Sequence, residues 1–211
     1  MINEGKRFGQ ALLALGAITL SGVTQQAQAG DITGTDHGFW YECWWTTGSA
    51  SISFPGAGTY AGNFQGNWSN IGDTTVGKGW QPGQTRTVNY NCGSISNFQN
   101  FGVYGWANYP NVEWYMTDMG TRGGTFKGTL NSDGGTYNVY LASQGGGAQY
   151  NDARTVSQSK GQSHAVTMAN HINFWASHGM PLHSWSDGYT YARLNAEAWG
   201  GQTGSCNATV W

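Results

Sequence analysis

Between residues 39 and 140 the chain is a succession of short runs of aromatic and β-branched residues, each soon cut off by Gly, Pro, Asn or Asp. The clearest breaks are Phe54-Pro55-Gly56-Ala57-Gly58, Gln81-Pro82-Gly83, Tyr109-Pro110, Arg122-Gly123-Gly124 and Ser132-Asp133-Gly134-Gly135. Strands at this spacing, with no helical stretches between them, predict an all-β sandwich or barrel and not a set of βαβ units. One segment departs from the pattern. Over residues 168–178, Met168, Ile172, Trp175 and Ala176 make an apolar stripe at helical spacing, and Gly179 is well placed to stop the helix. Residues 184–188, Ser-Trp-Ser-Asp-Gly, then turn the chain into a last strand, and residues 143–147 form a tight glycine turn. No repeat or linker divides the chain, so residues 30–211 are expected to be a single domain.

The first 29 residues stand apart. Lys6 and Arg7 precede the apolar run Ala11 to Leu20, and Ala27-Gln28-Ala29 has the small-x-small form of a cleavage site. The run is too short to span a bilayer, so residues 1–29 are expected to be a secretory signal peptide, with export to the periplasm or medium. Only 9% of residues are charged and the net charge is -2. Such a chain has no basic patch to neutralise phosphates, which argues against nucleic acid or an anionic membrane as partner. A neutral polymer is the better match. With 11 Trp and 11 Tyr the chain can offer flat aromatic faces to sugar rings, and its 34 Gly allow frequent turns.

Cys43, Cys92 and Cys206, in an exported chain, predict one disulfide and one free thiol, with three possible pairings. No Cys-x-x-Cys or Cys-His spacing suits a metal. His171 and His178 could share a helix face, but no third ligand joins them, nor His164 or His183, at a useful spacing. No metal or cofactor is therefore expected.

Glutamate is rare, occurring only at positions 4, 42, 113 and 197. In Pro110-Asn111-Val112-Glu113-Trp114-Tyr115-Met116, strand alternation puts Val112, Trp114 and Met116 on one face and Glu113 with Tyr115 on the other. In the segment from Tyr191 to Trp199, Ala192, Leu194, Ala196 and Ala198 share one face. Tyr191, Arg193, Asn195, Glu197 and Trp199 share the opposite one. Two glutamates on aromatic-rich sheet faces, far apart in sequence, are what a two-carboxylate glycosidase requires. Glu42, beside Cys43, alternates away from Trp45 and is read as solvated or structural.

An ordered set of motifs narrows this reading. Asn67-Trp68-Ser69-Asn70, Val76-Gly77-Lys78-Gly79-Trp80, Arg86-Thr87-Val88-Asn89-Tyr90, Val103-Tyr104-Gly105-Trp106, the Glu113 segment, Ser132-Asp133-Gly134-Gly135-Thr136-Tyr137 and residues 170–177 occur in that order. Together they resemble the endo-1,4-β-xylanases of glycoside hydrolase family 11 over nearly all of the chain after residue 30. The resemblance implies a β-jelly roll of two strongly curved antiparallel sheets with one α-helix, acting as a monomer on xylan. It implies Glu113 as nucleophile and Glu197 as general acid/base. It further implies Trp45 as a sugar platform, with Tyr104, Tyr115, Gln149 and Tyr191 lining the cleft. Asp73 matches the position beside the acid/base, where Asp goes with acidic optima and Asn with more neutral ones.

Two departures stand out. Around Glu197 the chain reads Leu-Asn-Ala-Glu-Ala-Trp, where the family has Ala-Thr-Glu-Gly-Tyr. Between Tyr140 and Gln149 the family has a long hairpin, its thumb, carrying a substrate-binding arginine, whereas here only residues 141–148 are present. A missing thumb raises two other expectations: a carbohydrate-binding protein with little or no turnover, and a hydrolase of another β-glycan.

Overall fold

The computed structural model describes residues 29–56, 61–108, 111–182 and 190–211. The expected signal peptide, apart from Ala29, and the turn at 184–188 lie outside the described residues. Among the described residues twelve strands and one helix follow in chain order. The strands are β1 (Gly30–Asp36), β2 (Phe39–Trp45), β3 (Ser49–Ser53), β4 (Gly62–Trp80), β5 (Thr87–Ser96), β6 (Asn100–Asn108) and β7 (Asn111–Gly120). They continue with β8 (Thr125–Ser132), β9 (Gly135–Gln144), β10 (Gly147–Arg154), β11 (Ser163–Thr167) and β12 (Tyr191–Val210), and the helix α1 is Met168–Ser177.

β4 and β12, of 19 and 20 residues, are about twice as long as even the longer of ordinary strands, and both turn a corner. At the corner Asn70 has φ 50°, Gly200 and Gly201 have φ 81° and 75°, and the β4–β12 register slips twice after Trp199. A bulge of this kind bends a strand sharply. Past the bend β4 folds back over itself, so that a Cβ on Gly66 would lie 2.5 Å from Cγ1 of Val76. Each long strand therefore serves two layers. One layer contains β3, β5 and β11 with the first part of β4 and the last part of β12. The other runs β1-β2-β4-β12-β6-β7-β10-β9-β8. The expected all-β jelly-roll sandwich is present, with two adjustments. Its layers are continuous through β4 and β12, and β7 pairs with β10 in parallel, because the β8–β9–β10 meander returns β10 beside β7 in the same direction.

Period-two alternation sorts the core from the cleft. Val112, Trp114 and Met116 of β7 and Ala192, Leu194, Ala196 and Ala198 of β12 all join the buried core. The helix packs through Met168, His171 and Trp175, while Ala176 is exposed, so its buried face is rotated towards His171. Asp152 on β10 makes that rotation tolerable: its carboxylate lies 2.5 Å from His171 Nδ1 and accepts from Trp175 Nε1 at 2.8 Å. A buried carboxylate with two such partners satisfies groups that would otherwise be costly to bury. Gly179, at φ 73°, ends the helix.

The predicted disulfide does not form: all three cysteines are free and buried. On the paired strands β5 and β12, Cys92 faces Ala208 and Cys206 faces Ile95, so the two side chains are not opposite one another, and Cys43 lies on β2 in the other layer. Burial pushes the thiols up, to about 12 for Cys43 and about 11 for Cys92. Where the family carries its thumb, β9 and β10 are joined by Gly145-Gly146 alone, both at positive φ (54° and 85°). That is the backbone a two-residue hairpin requires.

Candidate active site

Glu113 projects from β7 and Glu197 from β12, each opposite the core-facing residues of its strand, into one cleft of about 570 Å³. The central order β12-β6-β7 and the curl of the layer bring them to the same floor. Both side chains are almost fully buried. Tyr115 connects them, with its hydroxyl 2.8 Å from Glu113 Oε1 and 3.4 Å from Glu197 Oε1. The nearest carboxyl oxygens of the pair therefore lie within about 6 Å of each other.

The surroundings of the two carboxylates differ in kind. Glu113 is held by neutral donors: Tyr104 and Tyr115 hydroxyls at 3.0 and 2.8 Å on Oε1, and Gln149 Nε2 at 2.6 Å on Oε2. Behind them Trp106 Nε1 and the Tyr191 hydroxyl donate to the Tyr104 oxygen at 2.8 and 3.3 Å, and Asn151 Nδ2 donates to Gln149 Oε1 at 2.9 Å. The donors of this relay lead inward to Glu113, whose two oxygens accept three hydrogen bonds in all.

Glu197 stands among charges. Its Oε2 accepts from Arg122 Nη2 in an ion pair and from Asn100 Nδ2 at 3.4 Å. Burial, opposed by the Arg122 guanidinium and reinforced by the negative charges of Asp73 and Glu113, pushes its carboxyl up to about 7. Asp73 is raised too, chiefly by burial, and its Oδ1 has no hydrogen-bond partner among the described residues. It makes no hydrogen bond to Glu197 there and acts on it through space. At Glu197 burial thus favours the protonated form and the Arg122 ion pair opposes it, whereas Glu113 faces neutral donors.

Seven of the eight predicted site residues meet here: Asp73, Tyr104, Glu113, Tyr115, Gln149, Tyr191 and Glu197 all line the cleft. Trp45 does not. On β2 the alternation places Trp40, Glu42 and Trp44 on one face, with Glu42 and Trp44 lining the cleft, while Trp45 packs against the core beside buried Cys43. Trp44 is therefore the tryptophan that β2 offers to the cleft. Glu42, read from sequence as solvated or structural, lines the cleft and pairs with Arg193, which is fully buried. Arg193 Nη2 also donates to Thr75 Oγ1 at 2.7 Å. Losing Glu42 would leave a buried cation uncompensated, a change that typically costs about 3–5 kcal/mol.

Sequence reasoning missed Arg122, Asn100, Trp106 and Gln144. Arg122 lay inside an apparent Arg-Gly-Gly turn, with only its charge, in a chain that rarely uses charge, to mark it.

The chain matches the family model described as glycosyl hydrolases family 11 over residues 36–209. It is 35% identical to an ethylene-inducing xylanase of Penicillium digitatum and 34% identical to endo-1,4-beta-xylanase 2 of Rhizopus oryzae, in both cases over 100% of each chain. It is also 35% identical to endo-1,4-beta-xylanase B of Penicillium oxalicum, over 83% of this chain and 59% of that protein. With both cleft carboxylates and the whole relay around them inside the matched span, the chain is a glycoside hydrolase and belongs to family 11.

Proposed function

We propose that the chain is an exported monomeric endo-1,4-β-xylanase that cleaves internal bonds of xylan with retention of configuration, after removal of residues 1–29. The observation that carries the reading is the pair of glutamates sharing the Tyr115 hydroxyl, one amid neutral donors and one buried with its carboxyl at about 7. A separation within about 6 Å is close to the 5–5.5 Å of retaining pairs and shorter than the 6.5–9.5 Å of inverting ones. In the first step Glu113 attacks the anomeric carbon while Glu197 gives its proton to the departing glycosidic oxygen. In the second, Glu197 takes a proton from water, the resulting hydroxide attacks the anomeric carbon, and the bond to Glu113 breaks. The names of the relatives supply the choice of xylan.

Reducing sugar released from xylan, with β-anomers as the first products in proton NMR, is the expected result. First products of α configuration would overturn retention, and no release would overturn the activity. The two-residue Gly145-Gly146 turn favours one broader reading, in which the open cleft also accepts other β-1,4-glycans. A panel of neutral and branched polysaccharides assayed side by side separates the two.

A further inference from the structure

The cation on Glu197 has no place in a simple two-carboxylate scheme. Arg122 reaches it from the link between β7 and β8, and its side chain is only 10% exposed. Its guanidinium carbon sits 3.3 Å from the centroid of the Tyr115 ring, over the residue that joins the two carboxylates. An acid must present a proton to the leaving oxygen. With Arg122 in place, Oε2 of Glu197 faces two N–H donors and Oε1 faces the Tyr115 hydroxyl. A guanidinium has five donors and no acceptor, so a proton on Oε2 would meet N–H head-on. The clasp therefore favours the ionised form of Glu197, which is the wrong form for the first step.

The side chain has somewhere to go. Trp199, 38% exposed and two residues beyond Glu197 on β12, has its ring centroid 5.8 Å from the guanidinium carbon. An indole face is a good perch for arginine. The link itself stays anchored, because Asn151 Nδ2 donates to Gly123 O at 2.9 Å, so only the side chain need move.

We propose that Arg122 is a positioning residue that clasps Glu197 and that the sugar must displace, moving it towards Trp199, before Glu197 can act as the acid. The proposal rests on the two-carboxylate reading above. The charged and titratable groups facing Glu197 are Arg122 from the β7–β8 link, Asp73 from β4, and Glu113 and Tyr115 from β7, with uncharged Asn100 on β6. Arg122 is the one positive charge among them. Arg193 is engaged with Glu42.

The chain has four glutamates, so labelling glutamate with carbon-13 at the side-chain carboxyl gives a spectrum in which Glu197 can be followed directly. The test uses the Glu113→Gln background, which prevents turnover, with and without Arg122→Ala, each alone and saturated with xylohexaose. Without the sugar, removal of Arg122 should raise the Glu197 midpoint by at least about half a pH unit. With the sugar, the two midpoints should coincide, because displacement has already removed the cation. In the active enzyme Arg122→Ala should likewise raise the alkaline limb of kcat/KM, leave that of kcat unmoved and lower KM several-fold. Arg122→Gln, of similar size, should reproduce the effect, and Arg122→Lys should restore part of the clasp. Midpoints that remain separated when the sugar is bound would show that Arg122 stays on Glu197, and midpoints that never differ would show that it does not clasp it; either result overturns the proposal. If xylohexaose perturbs no cleft signal at all, the choice of xylan fails and displacement by it fails with it, a pattern distinct from binding without displacement.

Discussion

The Glu113 and Glu197 walls of the cleft are built on opposite principles. Around Glu113 the hydrogen-bond partners are neutral and packed in series, from Trp106 through Tyr104 and from Asn151 through Gln149. Around Glu197 the partners are charges whose balance changes as they titrate or move. One wall is preorganised by geometry, and the other is tuned by electrostatics. A nucleophile needs a single protonation state throughout, whereas an acid/base must change its own twice per turnover.

The sharpest way to break this contrast is to vary the leaving group. Glu113→Gln should reduce turnover on the order of 10⁵-fold with xylan and with a dinitrophenyl β-xylobioside alike, because no leaving group replaces a nucleophile. Glu197→Gln should lose about 10³-fold with xylan yet keep most of the first-step rate with the aryl substrate, which departs without a proton. Equal losses for the two variants on the aryl substrate would remove the assigned division of roles.

A smaller effect should appear in stability. The Glu197 carboxyl is raised from the ordinary 4.5 to about 7 in the folded protein, so its contribution is fully present below 4.5 and is lost as pH rises through about 7. Thermal unfolding followed across that window should show a decline that Glu197→Gln flattens. A parallel decline in both proteins would assign the slope to other groups.

The smallest effect concerns Asp73. The family resemblance implies that Asp73→Asn moves the activity optimum to higher pH. The geometry implies the opposite, since an ionised Asp73 raises Glu197 through space and its removal should lower the alkaline limb, by about half a unit or less. The pH–rate profile of the variant decides between a through-space role and a hydrogen-bonded one.

How much of this was legible in the sequence depended on how cleanly each strand alternates. β7 and β12 carry apolar residues on one face and polar ones on the other, so Glu113 and Glu197 could be placed directly. β2 reads Phe-Trp-Tyr-Glu-Cys-Trp-Trp, with aromatics on both faces, and alternation cannot tell which face is wet. The buried Cys43, two residues from Trp45, was the available clue. Arg122 was hidden for another reason: its position depends on a short link crossing the cleft side of β10, and no local pattern encodes such a crossing. The disulfide expectation failed because export and cysteine count say nothing about register. The helix ended as read, but its inward face turned on a histidine, which hydropathy ranks as polar until Asp152 is seen beneath it.

The corner through which β4 and β12 pass from one layer to the other has a kinetic consequence. Asp73 and Glu197 belong to the same two strands that carry Phe64, Ala208 and Val210 into the core of the opposite layer. The Glu197 side of the cleft therefore has no subdomain of its own that could melt and re-form while the rest stays folded. Slow amide exchange at these two strands should report the global opening of the molecule, and loss of activity on heating should keep pace with unfolding.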